Sequence, residues 1–184
     1  LHLLAISCLE IVTELAPELE ALLNTRLEQL VPPRSLSEAT DLASAGKLVL
    51  PFLHYSSATL DEVAAACVRT IVLIGGPAAL DVLEEYATDT RVAVIAELVR
   101  GFDSFEHDDY ARRVLAPGQH RSLALTTSSL SGLQHLPTLH ELDLTKCRRL
   151  SDLSPLVSLT NLIRLDLSGL DLTGVDPRFL SQLG

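Results

Sequence analysis

Two aspartates stand out as residues whose setting invites chemistry. Asp143 and Asp166 each occupy a Leu-Asp-Leu phrase, Leu142-Asp143-Leu144 and Leu165-Asp166-Leu167. On adjacent parallel strands they would lie side by side, and like charges so placed are destabilising. One reading is a site for a basic or amide-bearing partner. The plainer reading, which the residues favour, is a recurrent repeat phrase with Arg164 and Lys146 offsetting the repulsion. The face carrying them is still where recognition is expected.

Other reactive residue types do not assemble by spacing. Glu106-His107-Asp108-Asp109 suggests a metal cluster, but consecutive residues rarely converge on one ion, and acidic residues at a helix start complement its dipole. His135 and His140 flank Pro137 with no Cys or third His at zinc spacing. Cys8, Cys67 and Cys147 are too few and too scattered for a disulfide framework or a zinc site. They read as reduced thiols, mostly buried and so unreactive. Ser128, Ser129 and Ser131 lie in a loop without a nucleophile-elbow phrase. No Gly-x-x-x-x-Gly-Lys-Ser/Thr occurs; the one Gly-Lys pair, Gly46-Lys47, precedes Leu48. The expectation is a chain with no catalytic residues, no cofactor and no metal.

Composition agrees with a folded, ordered chain. The 184 residues are 47% hydrophobic and 21% charged, enough to build a core, with only 4% aromatic, so that core must be aliphatic. Leu fills 40 positions, and Met and Trp are absent. Without Met at residue 1, the chain reads as a processed or excised piece of a longer protein. The net charge of −10 is uneven. Residues 1–116 hold 8 Lys+Arg against 18 Asp+Glu, and residues 117–184 hold 6 against 6. An acidic surface repels phosphate backbones, so nucleic acid is not an expected partner. The apolar start, Leu1 to Leu9, is too short and interrupted for a membrane span and lacks the basic flank of a signal peptide. A cytoplasmic protein without a membrane partner is expected.

Up to about residue 115, apolar residues recur at helical intervals. Leu4, Cys8, Ile11 and Leu15 mark a first helix; Pro17 starts a second, which Pro32-Pro33 ends. Ser37 is expected to cap a helix through Ala45, closed by Gly46. Leu48 to Leu53 contains Pro51 and has no assigned conformation. Thr59 and Glu62 form a capping-box phrase ahead of a helix from Val63 to Ile74 that ends at Gly75-Gly76. Pro77 opens the next, with Leu80, Leu83 and Tyr86 on one face. Val92, Ile95, Val99 and Phe102 mark another, and Asp108 to Leu115 the last, before Pro117-Gly118.

Beyond residue 117 the period changes. Ser122-Leu123-Ala124-Leu125-Thr126, Glu141-Leu142-Asp143-Leu144-Thr145 and Arg164-Leu165-Asp166-Leu167-Ser168 align at offsets of 19 and 23 residues. The last two extend to Leu139-x-x-Leu142-x-Leu144-x-x-Cys147 and Leu162-x-x-Leu165-x-Leu167-x-x-Leu170, with Leu150, Leu153, Leu156 and Leu159 marking a return segment. The first copy is degenerate, with His120 where Leu is expected. Each copy should place a short strand with its leucines inward, the three strands stacking in parallel about 4.8 Å apart. The outward columns are then Ser122/Glu141/Arg164, Ala124/Asp143/Asp166 and Thr126/Thr145/Ser168. Cys147 should pack inside its turn.

These phrases resemble known repeat families. Ala66-Cys67-Val68-Arg69 through Ile74-Gly75-Gly76-Pro77 to Arg91-Val92 and Leu98 resembles a HEAT-type helical repeat, an ordinary helical bundle being the alternative. The later copies resemble leucine-rich repeats. Together they imply an α+β architecture: a helical HEAT-like domain over 1–116 stacked on, and sharing a core with, a short leucine-rich-repeat solenoid of about three parallel strands over 117–184. The whole order, with Asp108-Asp109-Tyr110-Ala111-Arg112-Arg113 between the two, is similar to the C-terminal region of bacterial NACHT-type STAND NTPases, prokaryotic relatives of NLR immune receptors. That resemblance implies a sensor or autoinhibitory module in antiphage innate immunity, its partner a protein or the rest of a larger NTPase chain. Ser122, Glu141, Asp143, Thr145, Arg164, Asp166 and Ser168 on the concave face are the expected partner-binding residues. The alternative is a freestanding HEAT/leucine-rich-repeat scaffold for protein–protein interaction. An enzyme of another class is disfavoured for want of clustered acid, base or nucleophile.

Overall fold

The computed structural model describes residues 17–170. It has an α+β architecture of helices and a three-stranded parallel sheet. The expected helix at Leu4–Leu15, with Cys8, and the return segment after residue 170 lie outside the described residues. The chain forms two compact units, residues 1–97 and 98–184. This division falls earlier than the change in composition at 116/117. The reason is visible within the second unit. The buried Tyr110 hydroxyl donates to Leu98 O at 2.7 Å, and the Gly132 backbone sits against the His107 carbonyl. Helical residues from Leu98 onward thus pack in the same unit as the strands.

In the first unit, α1 (Pro17–Leu30) opens at a proline and ends just before Pro32-Pro33. Proline suits a first helical turn and cannot continue a helix from within. α2 (Leu36–Ala43) is capped by Ser35, not Ser37. Ser35 has the extended backbone a cap needs, and its Oγ accepts from Glu38 N at 3.2 Å. Glu38 in turn accepts from Arg34 N at 2.8 Å. Gly46, left-handed at φ 62°, follows the helix and leads into the 3-10 helix Gly46–Phe52, which accommodates Pro51.

α3 (Asp61–Ile74) is buried on nearly all sides, which its run of alanines permits. Thr70 is the polar exception, its hydroxyl satisfied by Ala66 O at 2.9 Å and Ala39 O at 3.3 Å. The expected capping box at Thr59 does not form. Leu60 is the cap residue, without a side-chain bond, and Thr59 O accepts from Arg91 Nη1 at 2.5 Å. Asp61 and Glu62 in the first turn complement the helix dipole instead. Gly75 and Gly76, at φ 69° and 80°, reverse the chain into α4 (Gly76–Glu84), with Pro77 in its first turn. Leu80, Leu83 and Tyr86 are buried as expected. The Tyr86 hydroxyl donates to Leu53 O at 2.8 Å.

α5 (Val92–Arg100) turns a different face inward from the one its apolar spacing suggests. Phe102 is buried as expected, but it is joined by Val94 and Leu98, whereas Val92 is 82% exposed. Positions 94, 98 and 102 satisfy helical spacing as well as 92, 95, 99 and 102 do. The buried Glu97 pairs with Arg69 at 3.2 Å and belongs to the inward face, a sign that a purely apolar count misses.

The second unit continues through a 3-10 turn (Gly101–Ser104) into α6 (His107–Tyr110) and a single π turn (Ala111–Leu115). The Glu106 carboxylate caps α6 by accepting from Asp108 N and Asp109 N. Phe105 stacks on Tyr110 at 5.1 Å. Three strands follow: β1 (Ser122–Ala124), β2 (Glu141–Asp143) and β3 (Arg164–Asp166), in that order in the sheet and parallel. The register pairs Ser122 with Glu141 and Arg164, Leu123 with Leu142 and Leu165, and Ala124 with Asp143 and Asp166. Two of the three outward columns read from the sequence are thus in register, and the third, Thr126/Thr145/Ser168, lies beyond the strand ends.

The starts of β2 and β3 are pinned by forked hydrogen bonds. Arg121 O accepts from both His140 N and Glu141 N, at 2.8 and 2.9 Å, and His140 O from both Ile163 N and Arg164 N, at 2.7 and 2.9 Å. Short 3-10 segments, Leu133–His135 and Ser154–Ser158, carry the chain back between strands. Leu150, Leu153, Leu156 and Leu159 all point into the core. Cys147 lies inside its turn, donating to Leu125 O at 3.3 Å and accepting from Thr127 N at 3.4 Å.

Candidate functional site

The outward face of the sheet is a groove of about 310 Å³ whose polar lining is Ser122, Glu141, Asp143, Arg164 and Asp166, with Ala124 among its lining residues. Alternation along each strand puts Leu123 and Leu142 in the core and their neighbours outside. Arg164 Nη1 lies 3.8 Å from Glu141 Oε1, and Ser122 Oγ donates to Glu141 Oε2 at 3.5 Å. That column, Ser122/Glu141/Arg164, is therefore one exposed polar row. Exposed pairs of this kind contribute little to stability, so the row is open to another role.

The aspartates are held differently. Asp143 Oδ1 accepts from Thr145 N at 2.8 Å and Asp166 Oδ1 from Ser168 N at 2.9 Å. These hydrogen bonds hold both carboxyls below the usual carboxylate range, at Asp143 in spite of the neighbouring Asp166 charge. Both stay ionised through neutral pH, and each turn bond occupies one of two acceptor oxygens. Asp152 makes the same turn with Ser154 N at 2.9 Å, away from the sheet. Asp-x-Ser/Thr thus makes the same turn three times among the described residues of this unit, which is the plainer account of these aspartates. Thr145 and Ser168 fix the carboxylates from the ends of the strands and are not part of the groove lining.

The other candidates disperse. Asp109 pairs with Arg112 and with Arg113, the latter at 3.7 Å. Asp108 receives Gln134 Nε2 at 2.5 Å and lies 3.0 Å from His135 Nε2. His140 Nδ1 donates to Thr138 O at 2.7 Å. Cys67 is buried, and burial pushes its thiol up to about 11. Among the described residues no group of three or more His, Cys, Asp or Glu is placed to hold a metal ion.

No known protein family, curated protein or solved structure matches this chain.

One arrangement escaped sequence reasoning. Asp103, His107 and Ser131 are separated in the chain but joined in space. His107 Nε2 lies 3.1 Å from Asp103 Oδ1, and His107 Nδ1 lies 3.4 Å from Ser131 Oγ. Thr127 Oγ1 donates to the same Asp103 oxygen at 2.6 Å, and Ser128 N at 3.5 Å. Burial raises the Asp103 carboxyl, but these donors and His107 outweigh it and hold it below its usual range. A spacing of 24 residues between His107 and Ser131 carries no signal that a motif search would use; such constellations are recognised by geometry.

The chemistry of His120 is likewise not singled out by the sequence. Its Nε2 is buried without a hydrogen-bond partner, and burial depresses its pKa below the ordinary 6.5. Because the folded value is depressed, the neutral form is favoured in the native state. That contribution is complete above 6.5 and is lost as pH falls and the unfolded chain takes up the proton. His120→Leu restores the apolar residue of the pattern and removes an unsatisfied polar atom. It should stabilise by about 1 kcal/mol near neutral pH and by more in mild acid. Urea denaturation of both forms at two pH values checks this; an equal difference at both would contradict it.

Proposed function

We propose that this chain is a sensor and protein-interaction module, ligand-recognising or autoinhibitory, of a bacterial NACHT-like signalling NTPase, with antiphage defence as the biological setting. The observation that carries the reading is the groove on the sheet face, where in-register columns bring Ser122, Glu141, Asp143, Arg164 and Asp166 together on a rigid frame. In support of a short leucine-rich-repeat frame stand the inward leucines, the buried Cys147 and the 3-10 return segments. In support of HEAT-like helices stand the glycine reversal between α3 and α4 and their shared aliphatic core. A face built from short, independently variable outward residues is suited to recognition, with no reaction required of it. The partner is a protein or the remainder of the NTPase chain, met in the cytoplasm. No helix among the described residues is long and apolar enough to cross a membrane.

The test is substitution at the groove. Asp143→Ala, Arg164→Ala and Asp166→Ala should each change partner binding or nucleotide-switch output severalfold. Arg164→Ala should shift stability by no more than about 0.5 kcal/mol, since it removes only an exposed pair. Unchanged signalling and binding across all three would remove the groove from the mechanism. A P-loop domain encoded upstream in the parent gene supports the NTPase assignment. Its absence leaves the chain a freestanding scaffold.

A further inference from the structure

We propose that Ser131, His107 and Asp103 form an acyl-accepting relay, making Ser131 a nucleophile toward small esters that reach it from solvent. The site is separate from the groove and does not depend on the recognition reading.

The hydrogen bonds are mutually consistent in one protonation pattern. An ionised Asp103 accepts from His107 Nε2–H, which leaves Nδ1 as the lone-pair nitrogen facing the Ser131 hydroxyl. Ser129 Oγ lies 3.1 Å from Ser131 Oγ and donates to it once the Ser131 proton points at His107. Thr127 pins Asp103 at 2.6 Å, and the Phe102 ring lies 4.7 Å from the His107 ring. The imidazole is thus held on both its edge and its face, while Ser131 is exposed. A nucleophile bonded to a base that is itself oriented by a third group is the arrangement that activates serine hydroxyls. In this relay Ser131 and His107 act on the reacting atoms, and Asp103 is a positioning residue.

The step balances without any further reagent. As Ser131 Oγ bonds to the ester carbonyl carbon, its proton passes to His107 Nδ1 and the carbonyl π pair moves onto oxygen. Collapse of that tetrahedral species breaks the bond to the alcohol oxygen, which leaves with the proton from Nδ1. The products are an acylated Ser131 and a free alcohol. Water, deprotonated by the same nitrogen, then releases the carboxylic acid and restores the serine.

The experiment uses the 184-residue chain with 4-nitrophenyl acetate. The expected result is a burst of 4-nitrophenolate and an acetyl group mapped by mass spectrometry to Ser131. Ser131→Ala should abolish the burst, and His107→Gln should slow it roughly a hundredfold. Asp103→Asn should change the pH–rate profile, which a purely structural role would leave in place. Labelling of the unaltered chain by a fluorophosphonate at Ser131 gives a readout that needs no variant to fold. Acetylation confined to lysines, a burst that survives Ser131→Ala, or no burst and no fluorophosphonate label each overturns the relay.

Discussion

Gly132→Ala should cost the second unit about 3 kcal/mol or more, the sum of two separate penalties. The first is conformational: Gly132 sits at φ 89°, where an L side chain is strained by about 1–3 kcal/mol. The second is steric. A Cβ at this position would lie 2.4 Å from His107 O and 2.9 Å from His107 C, both backbone atoms of α6 that cannot swing away, and 3.0 Å from Ala111 Cβ. Either the loop after Ser131 or α6 must move, and moving them separates Ser131 from His107 as well. Gly76→Ala is the natural control. Gly76 has a similar φ of 80°, but nothing lies within 4 Å of its added Cβ. It should cost only the conformational part, about 1 kcal/mol. Denaturant midpoints for the two variants compare the penalties directly. Equal losses at both positions would show that the close approach at Gly132 relaxes freely.

Asp89→Ala should destabilise the first unit by about 3 kcal/mol, in the range measured when one partner of a buried ion pair is removed. Asp89 is 6% exposed, and its carboxylate receives the Arg91 backbone N at 2.9 Å and the Arg91 guanidinium from Nε and Nη2. The other arm of the guanidinium reaches Thr59 O, so the pair ties the turn before α5 to the segment before α3. Burial alone raises the Asp89 carboxyl, but the Arg91 hydrogen bonds and charge outweigh it and lower it below 3.8. The sign follows. A depressed folded pKa means that the carboxylate contributes above the unfolded value and that this contribution is lost as pH falls through the folded one. Acid unfolding of the unaltered chain should therefore include an Asp89 component that Asp89→Asn lacks. Melting curves at neutral pH and near pH 3 distinguish the two; parallel acid sensitivity would remove Asp89 from the account.

The sheet was legible in the sequence and several helix details were not, for physical reasons. The Leu-x-Leu copies fix strand position, direction and register together, because a period of two leaves one inward face, and two aligned copies leave one pairing. Helix starts depend on single hydrogen bonds that compete locally. Ser35-x-x-Glu38 and Thr59-x-x-Glu62 are the same phrase, yet only the first caps, because Arg91 takes the Thr59 carbonyl. The inward face of α5 differs from its apolar stripe because two residue sets share the helical period and the buried Glu97 pairs with Arg69 of α3. The groove residues followed from the strand columns, and only Thr145 and Ser168 changed role, from lining to buttress. The Asp103–His107–Ser131 contacts came from packing between α6 and a loop, which no local spacing encodes.

The forked carbonyls at Arg121 and His140 have a consequence for how such a face can change over time. β2 and β3 each begin where a carbonyl of the preceding strand's start seizes two successive amides, so the start of each is set by its neighbour and not by the length of chain in between. The two connections already differ by four residues, 19 against 23, without disturbing the alignment. Insertions and deletions can therefore accumulate in the returns while the outward positions keep their places in the grid. Each outward residue becomes an exchangeable character in a fixed frame, and a new specificity can be written there without refolding the text around it.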